Sequence, residues 1–87
     1  MKAWEMTEYW LRCSVHAGMF SNERMVKVSD GLSFFVDVDR VQGQVNQPGK
    51  VKVRLLKKSD DIFWAIMPTE DIAVVQVPKD QMEPVSA

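Results

Sequence analysis

The sequence predicts a small all-β domain, a five- or six-stranded antiparallel barrel or strongly bent sheet with one short helical turn before the last strand. Three observations predict it. Apolar and polar residues alternate with period two through most of the chain, which is the signature of half-buried strands. Turn-forming residues recur at short intervals, and Asp30-Gly31 is the sharpest of these signals. No stretch carries helical periodicity for more than about two turns.

The elements follow in order. In the N-terminal residues Trp4 and Met6 alternate out of phase with the strand that begins at Tyr9, so residues 2–8 are either a bulged extension or a short helix. From Tyr9 onward, Tyr9, Leu11, Cys13 and Val15 share one face, with Trp10, Arg12, Ser14 and His16 on the other. Ala17 to Asn22 is a connection. Arg24 to Ser29 sets Val26 and Val28 against Met25 and Lys27. Asp30-Gly31 then predicts a two-residue type I′ hairpin, which places Val28 opposite Ser33 and leads into Leu32 to Val38. That strand puts Leu32, Phe34, Val36 and Val38 inward and Phe35 outward.

Asp39 to Gly49 reads as an irregular loop with a short strand at residues 41–45. Lys50 to Lys57 alternates again and is expected to pair with the Leu32–Asp39 strand that precedes it. Ile62 to Met67 is apolar on both faces, as a central or doubly covered strand would be. Thr69 to Ile72 is expected to form one capped helical turn. Ala73 to Val77 is the last strand, closed by Pro78, and residues 81–87 read as a flexible tail. The domain is therefore placed at residues 1–80. The layout from Val15 to Val77, short strands with a single helical turn before the last, resembles the Src-homology-three barrel.

Composition bounds the function classes. With 11 basic and 12 acidic side chains the formal net charge is −1, too near neutrality for whole-molecule steering toward nucleic acid or an anionic membrane. The single cysteine points to a reducing, cytoplasmic setting, because a secreted domain of this size is usually stapled by disulfides. No segment is long and apolar enough to span a bilayer as a helix.

Catalysis has little support in the residues. Cys13 and His16 lie three apart in a strand, hence on opposite faces, and cannot share a proton. One cysteine and one histidine cannot make a zinc site. Asp37 and Asp39 share a strand face without a neighbour that would shift a carboxylate toward acid–base work. Glycine-rich phosphate loops and nucleophile elbows are absent from the sequence. The expectation is a non-enzyme without cofactor or metal.

Two surface features remain. Trp4, Trp10, Phe35, Phe63 and Trp64 exceed what one small inner face needs, and aromatics favour interfaces, where Trp10, Phe35 and Phe63 are placed. They predict a binding or assembly module that self-associates as a dimer or meets a protein partner. Lys50, Lys52, Arg54, Lys57 and Lys58 form the one dense basic cluster and give the alternative, a nucleic-acid-binding barrel. Cross-strand pairing of Asp37 and Asp39 with Lys52 and Arg54 would neutralise that cluster. A further alternative is a small-molecule binder with an apolar pocket at Trp64 and Phe34.

Overall fold

The computed structural model describes residues 7–85. Eight strands, β1 (Glu8–Ala17), β2 (Glu23–Lys27), β3 (Ser33–Asp37), β4 (Val41–Gln42), β5 (Gln47–Lys58), β6 (Ile62–Ile66), β7 (Val74–Pro78) and β8 (Met82–Pro84), form one antiparallel sheet. The order along it is β3-β2-β1-β5-β6-β7, with β4 beside β5 and β8 beside β1. The sheet curls strongly into a half-barrel, so the all-β, strongly bent antiparallel sheet read from the alternation is observed, with eight strands among the described residues where five or six were expected. Of residues 2–8, where helix or bulged strand was expected, 2–6 with Trp4 lie outside the described residues, and Glu8 opens β1.

Two long strands form the spine. β1 and β5 pair over eight positions, Glu8 opposite Arg54 through Val15 opposite Gln47. Each is longer than its outer neighbours, so two short strands share each free side. β8 covers Tyr9 to Leu11 and β2 covers Ser14 to Ala17. On β5, β4 covers Lys50 and Val51, while β6 covers Arg54 to Lys58 across a bulge between Leu55 and Lys57. Curling brings the inner faces together around Leu11, Val15, Val26, Val51, Ala65 and Val77, all essentially inaccessible. The predicted inner face of β1 is borne out: Leu11 and Val15 are buried, and Tyr9 and Cys13 pack against the same core.

The hairpin of β2 and β3 forms, with a different turn. Its loop is three residues, Ser29 to Gly31, a tight 3-10 turn in which the Gly31 N–H donates to Val28 O at 3.1 Å. Only the glycine takes the left-handed conformation there, at φ +77°, as in three-residue hairpin loops. Lys27 consequently pairs with Ser33, and the Val28 N–H donates to Leu32 O at 2.9 Å. Side-chain parity is the reason. Val26 and Val28 share a face with Phe34 and Val36 only if paired residue numbers sum to an even value, and a two-residue turn at 30–31 makes the sum odd.

Four further expectations are corrected. The Leu32–Asp39 region does not pair with the basic strand: among the described residues β3 pairs only with β2, while β5 pairs with β1, β4 and β6. Thr69 to Ile72 is a bend, not a helical turn. The Thr69 hydroxyl donates to the Asp71 carbonyl, and the Met67 N–H reaches across to Ala73 O at 2.9 Å, closing a loop. The helical turn before the last strand is Lys79–Gln81, which Pro78 starts. And residues 82–84 are not tail: they form β8, whose Met82 is buried in the core.

Candidate functional site

The curled sheet is open along one side, and the seam there runs from β3 to the β6–β7 loop. The N–H groups of Val28 and Val38 donate to Leu32 O and Asn22 O at the two ends of the hairpin. Antiparallel ladders alternate, so Phe34 and Val36 are the residues bonded to β2. The N–H and C=O groups of Ser33, Phe35 and Asp37 therefore point to the free edge. Among the described residues nothing pairs with β3 on that side. The strand reads Ser-Phe-Phe-Val-Asp, without the lysine, proline or bulge that usually blunts an exposed edge.

Apolar side chains gather along this seam. Phe35 is half-exposed, Ile72 at the loop is 84% exposed, and Val74 opens β7 half-exposed. Between β3 and the loop lies a groove of about 620 Å³, lined by Phe34, Phe35, Val36, Pro68 and Ala73, with Glu23, Asp37, Glu70 and Asp71 around it. Its charged lining is wholly acidic. Among the described residues no ion pair reaches those four carboxylates.

The basic strand lies on a different surface, the outer face of β1, β5 and β6. Register sets Trp10 between Lys52 of β5 and Glu83 of β8, with Arg12 opposite Lys50 and Glu8 opposite Arg54. The Lys52 ammonium sits 5.3 Å from the Trp10 ring centroid, and Lys57 sits 5.1 Å from that of Trp64. Such cation–π contacts hold the lysine stems against the sheet without neutralising them. Lys50 is ion-paired to Glu83, and among the described residues the expected pairs of Asp37 and Asp39 with Lys52 and Arg54 do not form. The hydrogen bond from Lys50, helped by the nearby charges of Lys50 and Arg12, holds the exposed Glu83 carboxyl below its usual range. Arg40 pairs with Glu8 at 3.4 Å. Lys58, at the end of β5, is exposed.

A second hollow, about 330 Å³, lies in the gap that β4 and β6 leave beside β5. Arg40, Lys52 and Arg54 line it together with Glu8 and Asp37. It shares Asp37, Pro68 and Thr69 with the groove, so the charge of the lining changes sign along one continuous trough.

The three aromatics expected at an interface part company. Phe35 is on the seam. Trp10 is half-buried on the outer face beneath Lys52. Phe63 is in the core at 8% exposure, edge-on to Tyr9 with ring centroids 5.8 Å apart. Its strand is apolar on both faces, so alternation alone could not choose which set faces inward. Phe34 and Trp64 line no common cavity among the described residues, because Trp64 lies on the outer face under Lys57 while Phe34 packs inward. The acidic groove is not legible in the sequence, since Glu23, Asp37, Glu70 and Asp71 come from three separate segments.

Cys13 is half-buried on the inner face, and desolvation pushes its thiol up to about 11. His16 shares a 3.1 Å hydrogen bond with Ser14 Oγ on the opposite face, so the two are not partners. Among the described residues, no three histidine, cysteine, aspartate or glutamate side chains are gathered as a metal would need, and no helix is long and apolar enough to cross a membrane. Comparison with protein-family models, with curated proteins and with solved structures gives no significant match.

Proposed function

We propose that this chain is a non-catalytic protein-binding module whose contact surface is the open seam of the half-barrel. The observation that carries the reading is the unprotected β3 edge, whose outward-pointing backbone groups border an apolar groove. An extended segment laid along β3 would satisfy those groups and cover Phe35, which is how strand addition combines main-chain affinity with side-chain selectivity. Self-association at this edge is a weaker form of the reading. Two copies meeting there would bring four carboxylates from each into one interface, which low salt makes unfavourable.

The test is selection from a phage-displayed library of random decapeptides, run in parallel on the wild-type chain and on Phe35→Ser. Peptides enriched on the wild type and not on the variant support the seam. Equal enrichment on both, or none on either, overturns it.

A second reading is favoured by one observation. On the outer face, Arg12, Lys50, Lys52, Arg54 and Lys57 stand against Glu8 and Glu83, beside Trp10 and Trp64. Five cations against two carboxylates suit a polyanion such as single-stranded nucleic acid, with the indoles available for stacking. Titration of labelled oligonucleotides against wild type and Lys52→Ala/Arg54→Ala decides it. Binding that falls steeply with salt and weakens in the double variant supports this face; salt-independent or absent binding dismisses it.

A further inference from the structure

We infer that the partner of the seam is an extended, cationic polypeptide segment that adds to the β3 edge, an inference that rests on the seam being the contact surface. Length, polarity and charge of the groove each contribute to it.

The free edge is five residues long, Ser33 to Asp37, about 17 Å at strand spacing. It offers backbone donors and acceptors at Ser33, Phe35 and Asp37 only, at the two-residue repeat that a strand requires. A helix cannot satisfy such a row, because its own backbone groups are already paired within it. Side chains of an added strand alternate, so one set would lie with Phe35 on the outer surface and the other would enter the groove over Phe34 and Ala73.

Charge then selects among extended segments. The groove carries four carboxylates and no cation in its lining, while the whole chain is only one charge from neutral. The acids come from β2, β3 and the β6–β7 loop and converge on one groove through the fold. An approaching lysine or arginine therefore meets several unpaired carboxylates at once, which raises both association rate and selectivity. An acidic or second-copy segment meets repulsion. Past Asp37 the lining turns basic at Arg40, Lys52 and Arg54, so the preference for cations is confined to the length of β3.

The experiment reads the composition of the peptides selected on the wild-type chain, then titrates a synthetic copy of the most enriched one by amide NMR. The expected result is a consensus with at least two lysines or arginines among alternating apolar residues. Shifts should map to residues 33–37 and 68–73. Binding should weaken about tenfold in Asp37→Asn/Glu70→Gln/Asp71→Asn and fall with added salt. All three substitutions are at exposed positions, and a circular dichroism melt verifies that the variant folds. Seam-bound peptides of neutral or acidic composition, or affinity unchanged in the triple variant, overturn the cationic partner and leave the binding module standing. Peptides that bind Phe35→Ser as well as wild type overturn the module itself. Wild-type self-association that is lost in Phe35→Ser at low salt would make a second copy the occupant and likewise overturn the cationic segment.

Discussion

Leu11, Cys13 and Phe63 share the inner face, and their surroundings decide what chemistry each can offer. Cys13 has a thiol raised from 9.0 to about 11 by desolvation, so its thiolate population near neutral pH is about a hundredfold lower than at an exposed cysteine. A maleimide should label it slowly in the native chain and promptly in denaturant. The raised value also has a stability consequence with a definite sign. Its contribution is full below the unfolded-state pKa and is lost as pH rises through the folded value, so stability should fall between pH 9.0 and about 11. Cys13→Ala should flatten that fall in urea titrations at alkaline pH. The two exposed-or-buried aromatics give the contrasting case. Phe63→Ala should cost about 3–5 kcal/mol, whereas Phe35→Ala should change stability by no more than about 0.5 kcal/mol. Chemical denaturation of both variants measures the difference.

The short strands β2, β4, β6 and β8 hold the sheet's shape because each covers a different part of the spine. β8 is three residues long, yet it seats Met82 in the core and supplies Glu83 to Lys50. Ending the chain at Gln81 should therefore destabilise by about 2 kcal/mol or more, since a buried methionine alone contributes about that much. Lys50→Met should cost far less, because the ion pair with Glu83 is exposed to solvent. The midpoints of thermal melts for these two variants should fall in that order. In the β2–β3 hairpin, a Cβ at Gly31 would meet nothing within 4 Å, so only the backbone conformation resists a side chain there. Gly31→Val should cost about 1–2 kcal/mol through φ +77° alone. Gly49 is constrained differently. A Cβ there would lie 2.3 Å from Gln42 O, so even alanine must push β4 away from β5.

At the scale of the molecule, charge is sorted by surface rather than spread evenly. The outer sheet face is basic, the seam groove acidic, and the net balance of −1 hides both. By this sorting, any self-association at the seam would depend on salt in the opposite sense to the proposed binding of a cationic segment. Added salt screens the repulsion between copies and the attraction to the segment alike. Sedimentation of the wild-type chain should show a monomer at low salt. Any association that appears at high salt should vanish in Phe35→Ser. Much of this organisation is legible in the alternation of β1, β2 and β5, because a residue's face follows from its parity. The ion pairs are not, because Glu83 reaches Lys50 from a segment that sequence alone reads as tail.

Local pattern carries the all-β fold class, the inner face of β1 and the existence of a hairpin turning at Asp30-Gly31. These are local properties, set by side-chain alternation and by the few backbone conformations a turn allows. The register is a correction: the turn signal alone places Val28 opposite Ser33, whereas placing Val26, Val28, Phe34 and Val36 on one face requires the even pairing observed, Lys27 opposite Ser33. Tertiary structure alone decided which face of β6 turned inward, because both Phe63 and Trp64 satisfy the same apolar requirement. It also decided which strands became edges. Pairing between β1 and β5 joins segments far apart in the chain and, among the described residues, leaves the outer edge of β3 without a partner, and no local pattern encodes a strand's missing neighbour. The acidic groove belongs to the same class of fact. Its four carboxylates are unremarkable along the chain and become a site only when the sheet curls and sets β3 beside the β6–β7 loop.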